Sequence, residues 1–400
     1  MYNSKQINNV IKILKENKTN YWTGLECKNF EKEFSKYHKN KYSIAVSNGS
    51  VALEIALKSL NLKKYDKVLV TPRSFIISAS CVLNLGLTPV FADVNSNGNL
   101  CINSIKKIFN KSIKAIIVVH LNGLPCDMDP ILKFVKKKKL FLIEDCSQAH
   151  GSVYKRKKVG SFGHLSTWSF CQDKIISTGG EGGMISTNDK KLWLRCWSLK
   201  DHGKNYKIVF RKKYKNGFKW LHSDLGSNYR MTEIQGAIGR HQLRDLDSQI
   251  KKRNLIAKLY LNGLRDFYKK YDFLKKPNFK CESCTLKYSL KPCNRCTHSF
   301  YRLNFFLNKK KINNIKLINQ LNKKNIKCGI GSCPEIYREK IFKKKNIQIK
   351  KSLKVAKELG KTSLVFPINP NISLKKYKNE ISSIKKIFYR EIFNQKKLKK

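Results

Sequence analysis

Between residues 43 and 190, short strand-like runs alternate with helical segments, and this alternation restricts the chain more than any other feature. SIAVS (43–47), KVLVTP (67–72), TPVFADV (88–94), AIIVVH (115–120) and LFLIED (140–145) are apolar or β-branched runs bounded by turn residues. Amphipathic segments such as NGSVALEIALKSL, SFIISASCVLNLG and MDPILKFVKKKK lie between them. Strands alternating with helices predict an α/β fold, a mostly parallel sheet covered on both faces. Such a sheet places its ligands beyond the carboxyl ends of the strands. Residues that directly follow a strand therefore carry the functional argument.

Beyond residue 190 the pattern changes. Residues 231–264 read as one long helix or two, and SFYRLNFFL reads as a strand. Helical stretches follow near 312–323 and 374–393, which suggests a smaller α+β lobe. The expected division is an N-terminal helix (1–20) packing on the small domain, a large domain (21–245), and a small C-terminal domain (246–400). The last carries a Cys-rich insert at 281–296. The opening MYNSKQINNVIKILKENK has no continuous apolar region, so it reads as an amphipathic helix and not as a signal peptide. No stretch of about 18 apolar residues occurs. A cytoplasmic location is expected.

Lys and Arg number 83 against 27 Asp and Glu, a formal charge of +56. A nucleic-acid regulator is one reading of such a charge. The basic residues are nevertheless spread along the chain, as in 136–139, 309–311 and 343–345, and no base-reading or stacking motif accompanies them. Compositional drift towards lysine explains that spread better than a binding face, and it would still attract an anionic substrate.

Three distant segments carry chemistry. Ser47, Asn48, Gly49 and Ser50 stand between a strand and a helix, where free N–H groups and the helix dipole can hold a phosphate. The same cluster serves equally as a turn and cap. LFLIEDCSQAHG ends a strand on Glu144 and Asp145, and a carboxylate there can keep a pyridine nitrogen protonated. Gln148, three residues on, can donate to a phenolic oxygen. Lys174 sits in STWSFCQDKIISTGGEGGMIST, a loop whose glycines allow close backbone approach. A phosphate cradle, a carboxylate and an amine together meet the needs of one pyridoxal phosphate (PLP) molecule.

The run SFCQDKIISTGGEGGM resembles the Schiff-base lysine motif of the DegT/StrS-type sugar aminotransferases, PLP enzymes of fold type I. Further family landmarks follow in order: AVSNGSVALEIAL, VTPRSFIISAS, TPVFADV, VHLNGLPCDMDPI, IEDCSQAHGS, GSNYRMTEIQGAIGRHQL, GSCPEIYREK and AKELGKTSLVFPINP. The resemblance implies a large domain with a mostly parallel, seven-stranded-type sheet between helices, plus a smaller α+β C-terminal domain. It assigns Lys174 as the Schiff-base lysine and Asp145 as partner of the pyridine nitrogen. Gln148 is implied near the ring oxygen and Phe75 against the ring, although TPRSFIIS departs from the family there. Gly49, Ser50 and Ser169 would bind the phosphate. Asn228 would reach the phosphate of a neighbouring subunit's cofactor, which implies a homodimer with shared active sites. The implied activity moves an amino group, with L-glutamate as donor, onto a nucleotide-linked keto sugar for surface polysaccharide or a related glycan. Sugar dehydratases on the same fold are the alternative, but they carry His at the lysine position.

Cys281, Cys284, Cys293 and Cys296 form two C-x2-C pairs within CESCTLKYSLKPCNRC. This arrangement suits a structural zinc site of four thiolates; reduced free thiols, a redox pair and an iron–sulfur cluster are the other readings. The family resemblance does not require this insert.

Overall fold

The computed structural model describes residues 2–210, 218–275, 277, 296–308, 312–345, 347 and 353–397. The chain begins with a well-capped helix, α1 (Ser4–Lys15). The Asn3 side chain accepts from the Gln6 N–H, and the Gln6 side chain accepts from the Asn3 N–H. After α2 (Glu26–His38), strands and helices alternate as β1 (Tyr42–Val46), α3 (Gly49–Ser59), β2 (Lys67–Val70), α4 (Ile77–Asn84) and β3 (Thr88–Phe91). The alternation continues with α5 (Ile102–Ile108), β4 (Ile113–Val119), α6 (Met128–Lys138) and β5 (Phe141–Asp145). A small ribbon, β6 (Val153–Tyr154) with β7 (Lys157–Lys158), precedes β8 (Leu165–Ser169) and β9 (Gly183–Thr187).

Seven strands form one sheet in the order β1-β9-β8-β5-β4-β2-β3. The pairs from β8 to β3 are all parallel. β9 alone runs antiparallel to both of its neighbours. It follows β8 through the lysine loop without a crossover helix, and a chain that returns directly can only pair antiparallel. The expected mostly parallel sheet is therefore present, with one reversed strand.

Central strands are buried on both faces. Ala115, Ile117 and Ile143 pack with α3 and α4, while Ile116, Val118 and Leu142 pack on the opposite face with α6. Apolar residues on both faces are what a covered parallel sheet requires.

Past α7 (Lys190–Lys200) and α8 (Tyr206–Val209), the long helix expected after residue 231 forms as one element, α9 (Glu233–Gly263). Its reciprocal cap pairs Thr232 with Gln235. Residue 245 lies inside this helix, which continues from the large sheet into the second lobe. Residues 3–5 at the start of α1 border a surface hollow with His241, Arg244 and Asp245 of α9. The remaining elements are α10 (Arg265–Lys269), β10 (Arg302–Phe306), α11 (Asn314–Lys323), α12 (Lys340–Lys344), α13 (Lys354–Thr362), β11 (Ser363–Pro367) and α14 (Leu374–Lys397). β10 and β11 pair antiparallel. Leu303, Phe305, Phe366, Leu321 and Phe388 build a second core there with Tyr260 and Leu264. Among the described residues, no helix is long and apolar enough to cross a membrane.

Cys281, Cys284 and Cys293 lie outside the described residues. Cys296 is buried beside Cys126, and its sulfur accepts from the Lys155 N–H at 3.5 Å.

Candidate active site

The ends of β1, β2, β5 and β8 open on one cavity of about 670 Å³. Beyond β1, Asn48 turns the chain into α3, and its side chain accepts from the Val51 N–H at 2.9 Å. The N–H groups of Gly49 and Ser50 lie in the first helical turn and have no partner within the helix. Gly49 is required here by close approach. A Cβ on it would stand 2.6 Å from the Ser169 Cβ, at the end of β8.

β5 ends on two carboxylates with different surroundings. Glu144 is fully buried, and accepts from the N–H groups of Gly160 (2.8 Å), Phe162 (2.7 Å) and Gly163 (2.6 Å). The His120 ring nitrogen Nε2 also lies 3.1 Å from it. A backbone N–H, that of Cys126, reaches His120 Nδ1 at 2.9 Å, so Nδ1 is an acceptor and Nε2 carries the proton. His120, Glu144 and Cys146 lie close enough to hold a metal ion. Every lone pair that a metal would need on the histidine and most of those on the carboxylate are already used, so a hydrogen-bonded structural cluster accounts for them. Asp145 faces the cavity instead. It accepts from the Ser78 hydroxyl at 3.2 Å and from the Ser147 N–H at 3.1 Å. Ser74 lies 3.0 Å from Ser78, which ties the β2 loop to this carboxylate.

Gln148 is buried at the cavity wall, where its Oε1 accepts from the Asn122 N–H at 2.8 Å. That contact leaves its amide N–H groups as the free donors. Phe75 also lines the cavity, with 66% of its surface exposed.

Lys174 projects into the cavity from the loop between β8 and β9. Its Nζ donates to Asp173 Oδ1 at 3.0 Å and lies 3.4 Å from the Tyr301 hydroxyl, which belongs to the second lobe. Tyr301 donates to Asp173 Oδ2, and Arg302 donates to Tyr301 at 3.0 Å and to Asp173 at 3.3 Å. Burial pulls the Lys174 pKa down, but Tyr301 and Asp173 outweigh it and hold the amine above the usual lysine range. Burial pushes the Asp173 carboxyl up, and its contacts to Tyr301, Lys174 and Arg302 bring it below the usual carboxylate range.

The cavity thus gathers Gly49, Ser50, Phe75, Asp145, Gln148, Ser169 and Lys174. It does not include Asn228, which sits on an exposed stretch and accepts from the Arg230 N–H at 3.4 Å. Sequence reasoning missed Asp173, Tyr301 and Arg302. Asp173 carried one signal, an acidic residue beside the lysine in a strongly basic chain. Tyr301 and Arg302 carried none, because a contact across 127 residues has no local pattern.

Residues 2–385 match the DegT/DnrJ/EryC1/StrS aminotransferase family. The chain belongs to that family. Within it, a GDP-perosamine synthase of Escherichia coli O157:H7 is 41% identical over 236 residues, 59% of this chain and 62% of that enzyme. The chain therefore spans less than two thirds of the length of that curated relative. An uncharacterised protein of Methanocaldococcus jannaschii is 30% identical over 388 residues, 96% of this chain and 95% of that one. Among solved structures, the aminotransferase from Psychrobacter cryohalolentis superposes with a TM-score of 0.91 at 39% identity, covering 98% of both chains. The α/β architecture of this DegT/DnrJ/EryC1/StrS family member is thus the one its motifs implied.

Proposed function

We propose that this family member is a PLP-dependent aminotransferase that moves an amino group from L-glutamate to a keto carbon of a nucleotide-linked sugar. One observation carries the reading: a lysine, a buried carboxylate and a helix N-terminus, separated widely in sequence, meet in one cavity. The residues fit the cofactor. Gly49 and Ser50 offer N–H groups at the start of α3, beside the Ser169 hydroxyl, where a phosphate would sit. The approach of Gly49 to Ser169 leaves no room for a side chain, which keeps that end open for an anion. Asp145 is 4% exposed, and its carboxylate would face the ring nitrogen. Gln148 has amide N–H groups to give a ring oxygen, and Phe75 has an exposed face to stack on the ring.

PLP bound there supplies an aldehyde for covalent attachment of Lys174 and a ring that withdraws electrons. The chain's own part is to hold that ring and to move protons. Asp145 keeps a proton on the ring nitrogen, and the hydrogen bonds from Ser78 and Ser147 keep the carboxylate aimed. Lys174, once free and neutral, is placed to take a proton from the substrate carbon and return it to a neighbouring one. A lysine at this position, where the related dehydratases have histidine, supports amino transfer over dehydration.

The substrate is tested by incubating purified protein with PLP, L-glutamate and a panel of nucleotide-linked keto sugars, a GDP-linked one first, and weighing the products. A mass change corresponding to ketone-to-amine conversion that needs both glutamate and Lys174 is expected. Loss of oxygen without gain of nitrogen would point to dehydration instead.

Two further expectations belong to this proposal. Asn228 would complete the cofactor site of a second copy, so the working unit would be a homodimer. Cys281, Cys284, Cys293 and Cys296 would hold one structural zinc ion, a reading that rests on the spacing of the two C-x2-C pairs. Elemental analysis of freshly reduced protein showing no zinc would remove the second.

A further inference from the structure

Lys174 has an acid–base environment that its motif does not describe. Two side chains meet its amine, Asp173 from the same loop and Tyr301 from the second lobe, and Arg302 beside Tyr301 bonds to both of them. The hydrogen-bond roles are determined by chemistry. Arg302 can only donate, and it donates to both Asp173 and the Tyr301 oxygen. Tyr301 spends its one proton on Asp173. The Lys174 amine then donates to Asp173 Oδ1 at 3.0 Å and faces an acceptor oxygen on Tyr301 at 3.4 Å. Both contacts favour an ammonium over an amine, because charge-assisted hydrogen bonds are the stronger ones. The Lys174 side chain is 18% exposed, so water screens this pair only in part.

We propose that Asp173 and Tyr301 are positioning residues that clamp the free Lys174 side chain as an ammonium, while Arg302 limits their grip by competing for both. The inference rests on Lys174 being the residue that attaches the cofactor. An ammonium cannot attack an aldehyde, nor can it take a proton from carbon. The clamp therefore sets the pH above which Lys174 becomes competent, and Arg302 keeps that pH from rising too far.

The other charged or titratable groups facing Lys174 do not replace this clamp. Asp145 and Glu181 line the same cavity, as do the thiols of Cys171 and Cys333, but none of them is bonded to Nζ. Arg253 of α9 and Lys327 line the adjoining hollow and add positive charge, which opposes an ammonium. His150 is buried and held neutral, its pKa pushed down to about 3 by burial. Asp173 is the only carboxylate that touches the amine among the described residues.

The test reads the amine directly. Full-length protein stripped of PLP is labelled with acetic anhydride across a pH series, and acetylation of Lys174 is followed by peptide mass spectrometry. In Asp173→Asn the Lys174 midpoint is expected to fall by about one pH unit or more, as for loss of an opposite charge within contact distance. In Arg302→Gln it is expected to rise, and Tyr301→Phe should give a smaller fall than Asp173→Asn. Opposite shifts from two neighbouring variants are not what a loosened fold would produce. The pH dependence of PLP attachment, followed by its visible absorption, should move with the labelling midpoints. A Lys174 midpoint unchanged in Asp173→Asn would overturn the clamp. Midpoints that move as expected while no lysine-dependent absorption forms would support the clamp and overturn the cofactor assignment instead.

Discussion

Glu144 and Asp145 are consecutive residues at the end of one strand, and they serve opposite sides of the sheet. Glu144 points into the fold and gathers three backbone N–H groups of the 160–163 turn. Asp145 points into the cavity and is held by Ser78 and Ser147. Strand alternation makes this separation automatic. One carboxylate builds the floor while its neighbour lines the cavity above it.

Glu144→Gln should therefore destabilise the protein without acting on the chemistry directly. The amide would turn an N–H group towards N–H donors, leaving buried groups unpaired at a cost of about 2–4 kcal/mol. Chemical denaturation should show a lowered midpoint. A midpoint equal to that of the unaltered protein would contradict the role given to Glu144.

Lys174→Ala should abolish turnover and leave the unfolding free energy within about 0.5 kcal/mol of the parent, as for a partly exposed side chain outside the core. Borohydride treatment of PLP-loaded protein should no longer fix the cofactor to the chain. Covalent labelling that persists in this variant would place the attachment elsewhere.

Asp145→Asn should bind PLP and still attach it through Lys174, but turn over at least about a hundredfold more slowly, in line with removal of an electrostatic partner from a buried site. The decisive comparison is between attachment and turnover. A variant as active as the parent would show that Asp145 does not assist the ring nitrogen.

Gly49→Ala would force a methyl group to within 2.6 Å of Ser169. The start of α3 must shift away, costing about 1–3 kcal/mol and weakening the phosphate cradle. Titration of the variant with PLP should show a higher dissociation constant than for the parent. A Ser50→Ala variant, which adds no atoms, should lose only the contribution of one hydroxyl. Equal PLP affinity in Gly49→Ala and the parent would argue against a phosphate at this helix start.

Mixing Lys174→Ala chains with Asn228→Ala chains should restore part of the activity lost in each, because one hybrid site carries neither change. A verified heterodimer with no recovery would argue against shared sites.

Much of this arrangement was legible in the sequence because its determinants are local. A cap-forming Asn48 before Gly49, an apolar run ending on Asp145, and a lysine among glycines are all contained within short stretches. Strand period and turn chemistry decide such features over a few residues. The reversal of β9 was less plain, since the sequence shows a run of strand residues but not the direction in which it pairs.

The sequence alone determined the α/β alternation, the carboxyl-end placement of the site residues and the lysine itself, since each follows from patterns a few residues long. The tertiary structure decided which carboxylate faces the cavity, and it brought Tyr301 against Lys174 and Arg302 against Asp173 and Tyr301. Those contacts join two lobes through the packing of α9 and the small sheet. Their geometry depends on how two separate cores dock, and no spacing within either segment encodes it.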